Sequence, residues 1–122
     1  MHPSISYFSN NHFYDGRLLN YTSRKRLSIP ESIEWMFPDD YRSIFINIGS
    51  QENISTMAGS FSLWNLPELI VVMKYIHKLL EAQVKFSEIA IITPYREQRA
   101  QIIWFLAKFG WSKIEVGTVD SF

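Results

Sequence analysis

The chain has 122 residues, no cysteine, and twelve basic residues balanced by twelve acidic ones, for a formal net charge of zero. This excludes disulfides, thiolate metal sites and a cysteine nucleophile. It also removes any global basic field for nucleic acid, so binding of that kind has to be local or shared with another domain. Hydrophobic residues at 47% and aromatic residues at 16% supply the material of a packed core. The histidines His2, His12 and His77 lack metal-ligand spacing, so no metal site is expected. No apolar stretch approaches the length of a membrane span, and Met1-His2-Pro3-Ser4 lacks the regions of a signal peptide. An intracellular protein, cytoplasmic or nuclear, with no membrane partner is the expectation.

In chain order, residues 1–42 read as an N-terminal segment of helix and loops, and residues 43–122 as a regular α/β pattern. Pro3 to Phe8 suits a short helix with His2 near its cap and Pro3 at its start. Asn10-Asn11 is a turn signal, and Phe13-Tyr14 precedes a turn at Asp15-Gly16. The basic run Arg24-Lys25-Arg26 reads as a solvated loop, with a phosphate-contacting patch as the alternative.

From Ser43 the periodicity sharpens. Ile44 to Ile48, ending at Gly49, predicts a first buried strand. Residues 50–62 are polar and read as a loop. Asn65-Leu66-Pro67-Glu68 predicts a capped helix start, with Asn65 as cap and Glu68 three residues on. Leu69, Val72, Met73, Ile76 and Leu80 then define a buried helical face. Ile89 to Ile92 predicts the second strand. A second helix is predicted from about Pro94 to Lys108, with an inner stripe of Ala100, Ile103, Leu106 and Ala107 and with Gly110 just past its end. Ile114 to Thr118 predicts a third strand. The order β–α–β–α–β implies parallel strands joined by right-handed crossovers.

The most informative stretch is Thr93-Pro94-Tyr95-Arg96-Glu97-Gln98. A strand turns here directly into a helix start, with Thr93 suited to cap the first turn and Pro94 suited to the first helical position. Such a junction gathers unpaired N–H groups and partial positive charge, at the sheet edge where α/β folds bind ligands. Phosphate, of a nucleotide or of a nucleic-acid backbone, is the ligand class to suspect.

Four stretches, in order, resemble motifs of one family. Met1-His2-Pro3 is similar to the end of a Tyr-Arg-Met-His-Pro motif, and Phe13-Tyr14-Asp15-Gly16-Arg17-Leu18 to a Phe-Tyr-x-Gly-x-Leu segment. Ile91 to Gln98 is similar to a Thr-Pro-Tyr-x-x-Gln motif, and Ile114 to Phe122 to the start of a Val-Asp-x-Phe-Gln-Gly motif. The family is the second RecA-like domain of superfamily 1 helicases, in the group of the nonsense-mediated-decay RNA helicase.

The resemblance implies an incomplete RecA-like α/β domain of a P-loop NTPase, with a parallel sheet and flanking helices. It implies a fragment of an ATP-dependent RNA or DNA helicase. The partners would be single-stranded RNA or DNA and the first RecA-like domain of the same polypeptide, and the intact protein would use ATP and Mg2+. By that resemblance Thr93, Pro94, Tyr95 and Thr118 contact nucleic acid, while His2, Pro3, Gln98 and Asp120 support the nucleotide cleft. For Gln98 and Asp120, helix support and loop hydrogen bonding are equal alternatives. No residue of the chain is a catalytic candidate. The Tyr-Arg pair before Met1, the Gln-Gly after Phe122, the phosphate-binding loop and the metal-binding carboxylates of the family are not in the chain. Three other readings stay open: a non-enzymatic remnant serving as a nucleic-acid or protein interaction module, a helicase-related nuclease or transposon protein, and a flavodoxin-like regulatory domain.

Phosphoryl transfer needs a phosphate loop, a metal site and charge-neutralising arginines. The purified 122-residue chain is therefore expected to bind no ATP and to show no ATPase above a blank, with or without single-stranded RNA. Turnover that follows the protein through purification would overturn the resemblance.

Overall fold

A computed structural model of the protein describes residues 2–21, 33, 42–55 and 62–121, with residues 53–55 described for backbone alone. The basic run Arg24-Lys25-Arg26 lies outside the described residues. The chain divides into two units, Met1–Asn47 and Ile48–Phe122.

In the first unit, helix α1 spans Pro3–Phe13 with Pro3 in its first turn and His2 as cap. The Ser4 amide donates to His2 Nδ1 at 3.3 Å, and the ring also meets the Ser4 hydroxyl at 2.8 Å. The helix runs straight through Asn10-Asn11, which the sequence marks as a turn. The reason is that the Asn10 side chain bonds forward and not to its own backbone. Its Oδ1 accepts the Leu18 amide at 2.8 Å, and its Nδ2 donates to the Leu18 carbonyl at 3.3 Å. The turn falls at Asp15-Gly16 instead, as expected from that dipeptide. Both residues take positive φ, 49° and 75°, and the Gly16 amide returns to the Asn10 carbonyl at 3.0 Å. On α1 only Ser6 is buried, so the helix shows Ile5, Tyr7, Phe8 and Phe13 to solvent.

The predicted strand at 44–48 does not form. Residues 42–52 carry no regular secondary structure, and Phe45 is 90% exposed. An apolar run becomes a strand only where a ladder partner takes its amides and carbonyls, and none does so among the described residues. The stretch read as a loop holds short strands instead. β1 (Asn53–Ser55) pairs antiparallel with β2 (Ser62–Trp64), in the register Asn53 to Trp64 and Ser55 to Ser62. Three-residue strands, half of whose residues are polar, are too short to show a period of two.

The second unit is built on a parallel pair. β3 (Ala90–Ile92) pairs with β4 (Glu115–Gly117), Ile91 opposite Val116. Between β2 and β3 lies α2 (Leu66–Glu81), and between β3 and β4 lies α3 (Arg96–Lys108). Leu69, Met73 and Ile76 of α2 meet Ile102 and Leu106 of α3 in one buried cluster, joined by Ile89 and Ile114 at the strand entrances. Each such side chain stabilises the unit by roughly 1.5–3 kcal/mol on burial. The face predicted for α2 is correct. The stripe predicted for α3 is not: Gln98, Ile102 and Leu106 are buried, whereas Ala100, Ile103 and Ala107 are exposed. The true stripe begins on a polar residue, which hydrophobic periodicity cannot select.

Both helices close with the same device. After α3, the Gly110 amide bonds the Ala107 carbonyl (3.2 Å) and the Trp111 amide bonds the Leu106 carbonyl (2.8 Å), with Gly110 at φ +74° as its place past the helix end predicts. After α2, the Gln83 and Val84 amides bond Leu80 and Leu79 in the same pattern at 2.9 and 3.0 Å. There the left-handed position is held by Gln83 at φ 64°, a conformation unfavourable for a residue with a Cβ. Gln83→Gly is expected to raise stability by about 0.5–1 kcal/mol, and Gly110→Ala to lower it by about 1 kcal/mol. No atom lies within 4 Å of a Cβ built on Gly110, so the second effect is one of backbone alone. Urea unfolding of the two variants checks the opposite signs.

Candidate nucleic-acid interface

Strand β3 ends at Ile92, yet its ladder continues for one more bond, from the Thr93 amide to the Gly117 carbonyl at 3.1 Å. Thr93 therefore leaves the sheet beside the residue that precedes Thr118. Two threonines stand at the carboxyl ends of adjacent parallel strands, Thr93 buried and Thr118 half-buried. This is the sheet edge at which α/β folds hold ligands. Thr118 is fixed from below by a single 3-10 turn, Val119–Ser121. Its amide donates to Ser121 Oγ at 2.7 Å, and Ser121 donates both amide and hydroxyl to the Thr118 carbonyl at 2.9 Å. Ser121 falls at the variable position of the Val-Asp-x-Phe stretch, where the motif suggests no role for it, and Asp120, in the same turn, is exposed.

The helix start differs from the expectation. α3 begins at Arg96, with Tyr95 as its cap residue, so Pro94 lies before the helix and Thr93 two residues before the cap. The Thr93 hydroxyl accepts the Tyr95 amide at a long 3.5 Å. The Glu97 amide, in the first turn, is taken by Ser62 Oγ of β2 at 3.1 Å. The antiparallel pair that the sequence concealed thus caps the helix that the sequence revealed. Hydroxyls already engage part of this terminus, which weakens the case for a phosphate seated squarely on it.

Gln98 has a structural post. Its Oε1 accepts the Asn65 amide at 2.8 Å, and its Nε2 faces the Asn65 carbonyl at 3.4 Å. Both residues are buried. In the capping box expected from Asn65 and Glu68, Asn65 Oδ1 accepts the Glu68 amide at 3.1 Å. The return bond to the Asn65 amide comes from Gln98 of the neighbouring helix, not from Glu68. Gln98 thus ties the start of α3 to the start of α2.

Around this clamp lies a pocket of about 240 Å3. Thr93, Pro94, Tyr95 and Gln98 line it from the strand-to-helix turn, and Leu63, Trp64, Asn65 and Glu68 from the β2–α2 junction, with Glu52 completing the wall. Tyr95 is 41% exposed. One cation stands by the same edge. Arg99 is exposed and donates its Nε to the Val116 carbonyl at 3.0 Å, which fixes its guanidinium beside the strand that leads into Thr118. The signal that could have found Arg99 is its position one helical turn after Tyr95. Of the eight residues singled out from the sequence, the fold brings Thr93, Pro94, Tyr95 and Gln98 together, and sets Thr118 and Asp120 at the end of the adjacent strand. His2 and Pro3 begin α1, in the first unit.

The sequence model of the AAA domain family matches residues 1–122, the whole chain. The chain is 36% identical over 129 residues to a protein of Arabidopsis thaliana named regulator of nonsense transcripts 1 homolog. It is 33% identical to the ATP-dependent helicase upf1 of Schizosaccharomyces pombe over 129 residues and to the ATP-dependent helicase NAM7 of Saccharomyces cerevisiae over 132. Each alignment takes in all of this chain and only 10%, 14% and 13% of those proteins, respectively. The α/β pattern with a parallel strand pair is accordingly that of a RecA-like domain of a P-loop NTPase.

Because Gln98 satisfies the buried Asn65 amide at 2.8 Å, Gln98→Ala is expected to cost about 1–3 kcal/mol of stability. Gln98→Glu keeps an acceptor for the Asn65 amide and should recover part of it. Chemical denaturation of the three proteins checks the order. A Gln98→Ala variant as stable as the parent would return this residue to a ligand-contacting role.

Proposed function

We propose that this chain, which belongs to the AAA domain family, supplies a strand-contacting surface of a superfamily 1 ATP-dependent helicase acting on RNA or DNA. The observation that carries the reading is the edge formed by Thr93 and Thr118. Two hydroxyls stand at the carboxyl ends of neighbouring parallel strands, joined through the Thr93 amide and the Gly117 carbonyl at 3.1 Å. Tyr95 extends that edge with a half-exposed ring, and Arg99 adds a fixed cation. Hydroxyls and a guanidinium suit phosphate oxygens, and an aromatic face suits a sugar or a base.

The residues present do not fit ATP. The sequence holds no Gly-x-x-x-x-Gly-Lys-Ser/Thr loop, and the pocket beside Tyr95 is lined, among the described residues, by two glutamates and no lysine or arginine. A triphosphate needs the opposite charge. In this reading ATP and Mg2+ are held chiefly by the first RecA-like domain of the same polypeptide, where the family carries its phosphate loop and metal-binding carboxylates. What this chain's residues do is bind and orient the strand. Thr93 is held rigidly by the sheet and Thr118 by the Ser121 turn, so both can position the strand without reorganising.

Tyr95→Ala is expected to weaken single-strand binding by about one to two powers of ten in Kd. The Tyr95 side chain makes no capping bond to α3, so the fold should persist. Thr93→Val should weaken binding less, since it removes one hydroxyl. Arg99→Gln should weaken it uniformly across sequences and flatten the salt dependence by about one unit of slope. Fluorescence anisotropy with labelled strands at several salt concentrations measures all three. Unchanged affinity in Tyr95→Ala, with an intact circular dichroism spectrum, would return this turn to a structural role.

A further inference from the structure

The pocket beside Tyr95 has a chemistry that strand contact at the sheet edge does not use. Its walls carry two aromatic side chains, Trp64 and Tyr95, together with Leu63 and Pro94. At about 240 Å3 it falls below the roughly 300–1,000 Å3 of sites for drug-sized ligands. That is room for one flat ring system, not for a whole nucleotide.

Its polar groups divide into two sets. Gln98 is occupied by the Asn65 backbone, and the Asn65 side chain is occupied by Ser50 at 2.8–3.0 Å and by the Glu68 amide. Glu52 and Glu68 remain, both residues exposed, with no lysine or arginine among the described residues of the lining. Ionised carboxylates only accept hydrogen bonds. The aromatic walls suit a flat ring, and the carboxylates suit a guest with N–H donors on its edge and no negative charge. Phosphate is repelled here.

We infer that this pocket takes one base of the bound strand and favours bases with an exocyclic amino group, adenine, cytosine and guanine, over uracil. The amino groups of adenine and cytosine, and the N1–H and N2 amino group of guanine, give a carboxylate charge-assisted donors. Uracil offers one N–H between two carbonyl oxygens, and those oxygens face carboxylates of like partial charge. The discrimination thus has a repulsive part as well as an attractive one. The inference rests on the proposed strand contact, which brings the strand to this edge. It places the base in the pocket and the phosphates outside, at Arg99 and Thr118.

Two measurements on the 122-residue chain test it separately from the strand reading. In the first, nucleosides and inorganic phosphate are titrated while the Trp64 indole N–H resonance is followed, assigned by Trp64→Phe. Cytidine, adenosine and guanosine should shift it, uridine should need roughly three- to tenfold more ligand, and phosphate should leave it in place. In the second, labelled oligocytidine and oligouridine strands are compared by anisotropy. The preference for oligocytidine should fall to within about twofold in the double variant Glu52→Gln, Glu68→Gln, while dependence on Tyr95 persists.

A phosphate-induced shift of Trp64, equal responses to cytidine and uridine, or strand binding without any nucleoside response would each overturn the pocket assignment and leave the strand reading standing. Nucleoside shifts without strand binding would overturn the strand reading, and with it the assignment of the pocket to a base of the strand, leaving a pocket for free nucleosides.

Discussion

The second unit depends on one contact between a side chain and a peptide group. Gln98 Oε1 accepts the Asn65 amide at 2.8 Å inside the protein. Asn65 is the residue at which α2 begins, and Gln98 lies in the first turn of α3. The bond therefore sets the beginnings of the two helices side by side. A buried amide without a partner is costly, so their relative position is held by more than apolar packing, which tolerates small slides. Asn65 then passes the constraint on: its side chain holds the Glu68 amide and Ser50 at once. Below this polar point, Leu69, Met73, Ile76, Ile102 and Leu106 fill the space between the helices. Above it, Trp64, Glu68, Thr93 and Tyr95 border the pocket. One hydrogen bond marks the boundary between core and site.

The electrostatics of the site follow from the same arrangement. Because α2 starts beside α3, Glu68 of its first turn enters the wall around Tyr95. Arg99, one turn further along α3, is instead drawn to the Val116 carbonyl of β4. Glu68 thus lies on the β2–α2 side of Tyr95 and the Arg99 guanidinium on the β4 side, where Glu115 and Asp120 are exposed as well. A neutral total charge does not show how these groups are placed around Tyr95.

The parallel pair itself is short and open on one side. Ile91 and Val116 turn toward the helices, whereas Ile92 is 58% exposed. A continuous apolar run such as Ile89 to Ile92 is the signature of a strand covered on both faces, and here the described residues cover one. The same contrast holds for Ile44 to Ile48, where an apolar pattern of strand type is observed as an exposed segment without ladder bonds. In both places the pattern records a preference for burial, and the neighbours needed to meet it are not among the described residues.

What the sequence by itself determined was local. The cap at Asn65, the buried face of α2, the left-handed glycines at 16 and 110, and the existence of a strand-to-helix turn after Ile92 each follow from a few adjacent residues. Their physics, capping bonds, period and φ, is complete within a turn or two of chain. The tertiary structure decided everything that needed a distant partner. Gln98 is inside because Asn65 stands 33 residues away in sequence with a buried amide to offer. α3 starts at Arg96 with its first-turn Glu97 amide on Ser62, 35 residues earlier. Thr93 and Thr118 form one edge only because β3 and β4 lie in register. Hydrophobic periodicity reports which residues avoid water. It carries no signal for which distant polar group will answer a buried amide, and in this protein that pairing placed the site.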